Sequence, residues 1–177
     1  MEQYIEAGNT KMVEKLKQYP VLTDDSQAAA FFKSLVRDQA MHELGVGTMR
    51  SMNSIETGVV LPIMSCRAYT LREKATLWVS KIAFIKKTPL ADQLFAADVT
   101  TSVTRLEIPV YFFSGAYDLT VNYGLSKAYL TQIDSPVKGF YTFEHSAHSP
   151  IFEEPEKMMR LLRKDVLRGE TNLADKE

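Results

Sequence analysis

Apolar residues change their spacing once along the chain, near Leu106. Before that point they recur every three or four positions, the period of helices with one buried side. Met12, Val13, Leu16 and Tyr19 follow it, and Pro20 is expected to end the segment. Asp24 or Asp25 can cap a second helix running to about Leu44, with Phe31, Phe32, Leu35, Val36 and Ala40 on its apolar side and Gly45 and Gly47 breaking it. Ser54 to Met64 reads as helix or coil, with Pro62 against an unbroken helix. Thr70-Leu71-Arg72-Glu73 is a capping box that opens a helix through Trp78, Ile82 and Ile85. Thr88-Pro89 marks one more helix start, with the proline at the first helical position. Residues 1–97 therefore predict an all-helical layer.

After Leu106 the pattern becomes short continuous apolar runs. Val110 to Phe113 suits a strand buried on both faces. Asn122 to Ile133 predicts a helix with Leu125, Tyr129 and Leu130 inward, and Phe140 to Phe143 a second strand. Pro155 opens a last helix carrying Met158, Met159, Leu162 and Val166, which stops near Gly169. Strand, helix, strand, helix is a βαβα unit with parallel strands, so the fold class is α/β. Residues 98–177 form this second region, and its polar tail after Gly169 is expected to fray.

Composition narrows the function without naming it. Of 177 residues, 45% are apolar and 24% charged, as in ordinary globular proteins. Lys and Arg number 21 against 22 Asp and Glu, so there is no basic excess for nucleic acid. Arg160, Arg163, Lys164 and Arg168 alternate with acids and read as a solvated helix face. The longest apolar run, Thr57 to Cys66, is too short to span a membrane and contains Pro62, and no signal peptide follows Met1. Cys66 is the single cysteine, which fits a reducing compartment and a cytoplasmic location; a small buried hydrophobe is its expected role.

Two loops carry the candidate chemistry. Gly115-Ala116-Tyr117-Asp118 ends the first strand on an acid, and His148 stands five residues past Phe143. Functional groups of open α/β sheets collect at the carboxyl ends of strands. There a carboxylate can accept the Nδ1 proton of a histidine and leave Nε2 as a general base. The acid-then-histidine order is that of a Ser–Asp–His triad in α/β-hydrolases, but no serine elbow stands upstream of Asp118. Alone, Asp118 could equally be a helix-capping turn residue, and His148 a loop histidine. His145, three residues before His148, raises a metal site with Glu144, Glu153 or Asp118, a weak signal outside a helix. Ordering the loop is the better role for His145. Gly124-Leu125-Ser126-Lys127-Ala128 imitates an elbow, but it falls within a helix, where Ser126 reads as surface. Gly45-Val46-Gly47 lacks the strand and third glycine of a dinucleotide site.

Gly115-x-x-Asp118 and Ala147-His148-Ser149-Pro150-x-x-Glu153-x-Pro155 resemble the acid turn and histidine loop of capped, proline-iminopeptidase-like α/β-hydrolases, where glycine more often precedes the histidine. Arg37-Asp38-x-Ala40-Met41-His42 and Tyr69-Thr70-Leu71-x-Glu73-Lys74 are similar, more loosely, to their helical cap. The resemblance implies a partial α/β-hydrolase fold: residues 1–97 as the cap (lid), and 98–177 as the last two strands of the core with their helices. It implies hydrolysis of esters, amides or prolyl peptides through an acyl-serine, with Asp118 as orienting acid and His148 as general base. Trp78, Tyr69, Phe84 and Met64 become candidates for a substrate lining, with plain core as the competing role.

Strands one to six, the Gly-x-Ser-x-Gly elbow and the oxyanion hole would be absent, so such a fragment is expected to be inactive alone. It would need no metal or cofactor, and would bind neither nucleic acid nor membrane. Its substrate, a small molecule or short peptide, would belong to the full-length parent. The strand around Val110 to Phe113 would have lost a neighbour, which favours a homodimer or other association through that edge. A non-catalytic binding or interaction module with a vestigial triad is the alternative.

Overall fold

The computed structural model describes residues 1–19, 30–31 and 34–176; of 81, 82, 84–87, 91, 92 and 95 it describes the backbone alone. The first helices pack as the spacing predicts. Helix α1 (Glu2–Glu6) and helix α2 (Thr10–Lys17) are joined by Asn9, whose side chain accepts the Met12 N–H at 3.1 Å. Tyr4, Met12 and Leu16 meet Ala40 of α3 (Leu35–Glu43) in one buried cluster. Tyr4 donates its hydroxyl to the Ala40 carbonyl at 3.2 Å. Burial first, then the neighbouring Glu43 carboxylate, push the Tyr4 phenol up to about 12.

The second predicted helix differs from expectation. Helix α3 begins afresh at Ser34, whose hydroxyl accepts the Arg37 N–H at 3.1 Å. Leu35, expected inward, is 87% exposed, because the cap places it on the outer side of the first turn. Pro20, Asp24, Asp25 and Phe32 lie outside the described residues.

The ambiguous stretch is helical. A π-helical turn (Glu56–Val60) runs directly into α4 (Leu61–Ser65), with Pro62 at the second position of α4. The capping box forms: Thr70 N–H donates to Glu73 at 2.8 Å, and Glu73 N–H to Thr70 Oγ1 at 3.3 Å. It opens α5 (Leu71–Lys87); α6 (Leu90–Ala96) and the short α7 (Val99–Ser102) follow. Pro89 caps α6 rather than standing at its first position. Cys66 is half-buried, not buried. No described helix is long and apolar enough to cross a membrane.

Beyond α7 the architecture is mixed helix and strand. Strand β1 (Val110–Gly115) pairs in parallel with β2 (Lys138–Phe143), Val110 opposite Lys138 through Gly115 opposite Phe143. Helix α8 (Tyr123–Gln132) connects them, capped by Asn122. Successive side chains alternate across the sheet. Val110 and Phe140 meet Leu130 and Ile133 on the α8 side; Tyr141 and Phe143 meet Met158 and Leu161 of α10 (Pro155–Lys164) on the other. Burying each of these aromatic rings contributes roughly 2–3 kcal/mol.

Three expectations change here. Tyr111, Phe112 and Phe113 are half-buried rather than fully covered, because β1 has β2 on one side and, among the described residues, no strand on the other. Leu125 is 72% exposed and Met159 is exposed, while Leu130 and Leu161 hold the inner positions. The tail does not fray. After a 3₁₀ turn (Val166–Arg168) and Gly169 in the left-handed conformation, it folds back. Leu173 N–H donates to buried Asp165 at 2.8 Å, and Asp175 N–H to the Phe140 carbonyl at 2.8 Å, while Asp175 accepts from Thr142. The tail thus covers the outer edge of β2.

Candidate functional site

The acid turn grows out of the end of β1. Ala116 N–H donates to Phe143 O at 2.9 Å and Tyr117 N–H to Ser146 O at 3.1 Å, so the turn is stitched to the loop after β2. Gly115 permits this closeness: a Cβ there would fall on the carbonyl oxygens of Ser146 and Ala147. Asp118 Oδ1 accepts the N–H groups of Thr120 (2.8 Å) and Val121 (3.0 Å). Its Oδ2 meets His148 Nδ1 at 2.8 Å. The Asp118 side chain is 7% exposed and that of His148 41%. In the pairing of an ionised carboxylate with a neutral imidazole, the carboxylate only accepts, which puts the shared proton on Nδ1 and leaves the Nε2 lone pair free.

The histidine loop, short of regular structure, satisfies the N–H groups of His145 and Ala147 with side chains. Glu154 accepts the His145 N–H (3.0 Å) and the Ser146 hydroxyl (2.6 Å). Glu153 Oε2, at the end of the short α9 (Pro150–Glu153), accepts the Ala147 N–H at 2.8 Å. His148 N–H donates to Gly47 O at 3.2 Å, and Leu119 N–H to Val46 O at 3.1 Å. The turn after α3 therefore touches both loops. Gly45 makes that turn with φ +64°, and the Arg50 guanidinium lies 3.6 Å from the centroid of the Tyr117 ring. Arg50 N–H donates to Glu153 Oε1 at 2.6 Å.

A cleft of about 280 Å³ adjoins the pair, lined by Tyr111, Phe112, Phe113, Ser114, Val121 and Ser126 besides Asp118 and His148. Successive residues of β1 point to opposite faces, so a cleft lined by all of them runs along the strand's open edge. Ser126 is nearer to events than its sequence position suggests: it occupies the first turn of α8, not the middle. Its Oγ donates to Asn122 O at 3.0 Å, and among the described residues no hydroxyl is hydrogen-bonded to His148.

The lining candidates lie elsewhere. Met64 and Tyr69 are exposed and Trp78 is half-buried on α5, and none of the three borders this cleft. The Phe84 side chain lies outside what is described. His145 is exposed and enters the loop's bonding through its backbone N–H, so Glu153 and Glu154 hold the order expected of it. Among the described residues no three His, Cys, Asp or Glu side chains group as metal ligands. Sequence reasoning missed Val46, Gly47 and Arg50 as site neighbours. The signal for the two glutamates was present: acids placed six and nine residues after the loop N–H groups they accept.

Against known proteins, the chain is 32% identical over 113 residues to the probable aminopeptidase YbaC of Bacillus subtilis (strain 168). The match takes in 64% of this chain and 35% of the relative, so the chain spans about a third of the length of the curated relative it matches. No family model matches, and no solved structure matches significantly. The relationship is distant and partial.

Proposed function

We propose that this chain carries the acid and the base of a Ser–Asp–His hydrolase of the α/β-hydrolase type, acting on ester, amide or N-terminal peptide bonds. The observation that carries the reading is the 2.8 Å bond from His148 Nδ1 to buried Asp118, with Nε2 left available beside a cleft. The name of the B. subtilis relative supports the direction. In this reading Asp118 fixes the imidazole tautomer and stabilises the imidazolium. His148 Nε2 removes the proton of a serine hydroxyl as that oxygen attacks the carbonyl, then delivers it to the leaving amine or alkoxide. The serine and the oxyanion donors belong to a segment seated on the open edge of β1, beside which the cleft lies. Without them the largest stabilising contribution is missing, and the chain alone is inactive. The same open edge is then available to a second copy.

The test joins labelling to nitrogen NMR. The chain should not react with a serine-directed fluorophosphonate. Its His148 signals should report one tautomer, Nδ1 protonated, which Asp118→Ala abolishes. Labelling that His148→Ala removes would overturn the inactivity of the isolated chain. Mixed tautomers in the unaltered protein, or no response to Asp118→Ala, would overturn the pair itself and favour a binding module.

A further inference from the structure

We infer that Glu153 is a positioning residue that ties the geometry of the Asp118–His148 pair to the helical region, and this rests on the acid–base reading above. One carboxylate holds two distant segments of the chain together. Its Oε1 accepts the Arg50 N–H at 2.6 Å, and its Oε2 accepts the Ala147 N–H, one residue before His148, at 2.8 Å. These are charge-assisted bonds to backbone donors, the stronger kind. Arg50 and Glu153 stand 103 residues apart, so the link is tertiary.

The link matters because of what the same turn does next. Val46 and Gly47, a few residues before Arg50, offer their carbonyls to Leu119 and His148, one on each functional loop. The Arg50 guanidinium over Tyr117 fastens the turn to the acid loop from outside. A shift of residues 45–50 would therefore move the backbone of His148 against that of Asp118, and a hydrogen bond weakens steeply as its angle departs from linear. Whatever engages the helical region would be felt at the imidazole through this turn. Glu154 makes a contrast: both of its bonds stay within the histidine loop, on the N–H of His145 and the hydroxyl of Ser146.

Glu153→Gln and Glu154→Gln should therefore behave differently. In Glu153→Gln we expect roughly ten-fold faster amide exchange at both Arg50 and Ala147, since an amide supplies one acceptor for two donors. The downfield Nδ1 proton signal of His148 should shift or broaden. In Glu154→Gln exchange should rise at His145, with Arg50 and the His148 ring signal unchanged. Should Glu153→Gln fail to fold, Glu153→Asp tests the link: it keeps the charge but is one methylene too short to hold both donors, so amide exchange should rise several-fold at Arg50 or Ala147 and the His148 ring signal should shift. A Glu153→Gln protein that loosens Arg50 and Ala147 with an unmoved His148 ring signal makes Glu153 merely structural and overturns the inference. So does a Glu153→Asp protein with faster exchange at either amide and an unmoved His148 ring signal. If Asp118→Ala also leaves the ring signal unmoved, the acid–base reading has failed instead.

Discussion

The helices of α4 to α7 and the β1–α8–β2–α10 unit differ in what holds them. In the second, each strand face meets its own helix, and Tyr141, Phe143 and Ile133 are shielded from water. In the first, Leu61, Leu71, Val79, Leu90 and Leu94 are all exposed, and Lys74 is the buried residue of α5 among those described. Its ammonium caps α4 by donating to Met64 O at 2.7 Å. Local chemistry forms these helices: a capping box, a lysine on a helix end, a proline at a start. Long-range packing forms the sheet. Helix formation and burial are thus separable within one chain, and the region with few buried side chains carries apolar surface that nothing described covers.

The sharpest way to break this comparison is to truncate one apolar residue on each side. Phe143→Ala should cost about 4 kcal/mol, as removal of a fully buried ring does. Leu71→Ala, at an exposed position of α5, should stay within about 0.5 kcal/mol. Urea unfolding followed by near-ultraviolet and far-ultraviolet signals reads both. A Leu71→Ala cost comparable to that of Phe143→Ala would mean that α5 is packed after all.

What was legible in the sequence divides along the same line. Thr70 and Glu73 announce their bond because they are three residues apart. Val110 to Phe113 announces a strand because the run is apolar and β-prone. Asp118 and His148 fall at consecutive strand ends, so the parallel connection alone brings their loops to one edge. The misread positions depended on distant partners. Leu35 and Leu125 fit helical spacing, but spacing cannot say which side a neighbour will cover. The tail looked free because its anchors, Asp165 and the backbone of β2, have no periodic signature. Arg50 gave no sign of reaching Glu153, and a turn with glycines at 45 and 47 was legible only as a break.

A smaller effect should come from the tail anchor and appear at alkaline pH. Tyr141 donates its hydroxyl to Asp165 at 2.8 Å. Burial raises its phenol above the ordinary value of 10.0, and the bond and charge of Asp165 raise it further. The unfolded chain loses this proton near its ordinary value and the folded chain only at higher pH. The stabilisation is therefore complete below about pH 10 and is lost as pH rises through the folded value. Tyr141→Phe should cost about 1–2 kcal/mol at neutral pH, because Asp165 then has the Leu173 N–H as its remaining described side-chain partner. It should also flatten the alkaline limb of a stability–pH curve for the sheet unit. An unchanged alkaline limb would show that the tail is not held through this pair.

The smallest expected effect lies at the start of α5, and it probes the helical side alone. Thr70 Oγ1 accepts the Glu73 N–H, and the Glu73 carboxylate accepts both the N–H and the hydroxyl of Thr70. The backbone bond first, then the hydroxyl bond, hold the Glu73 carboxyl below its ordinary value. A lowered carboxyl favours the capped helix above the uncapped value, near pH 4, and the advantage disappears as pH falls through the lower folded value. Thr70→Ala should cost about 1 kcal/mol of local helix stability. It should speed amide exchange over residues 71–75 and weaken the acid dependence of the helical signal. The unfolding transition of the sheet unit should stay where it is, because the box touches no residue of that unit. If the same substitution shifts the sheet transition equally, the two regions unfold as one body, and the separation of local from long-range stability does not hold for this chain.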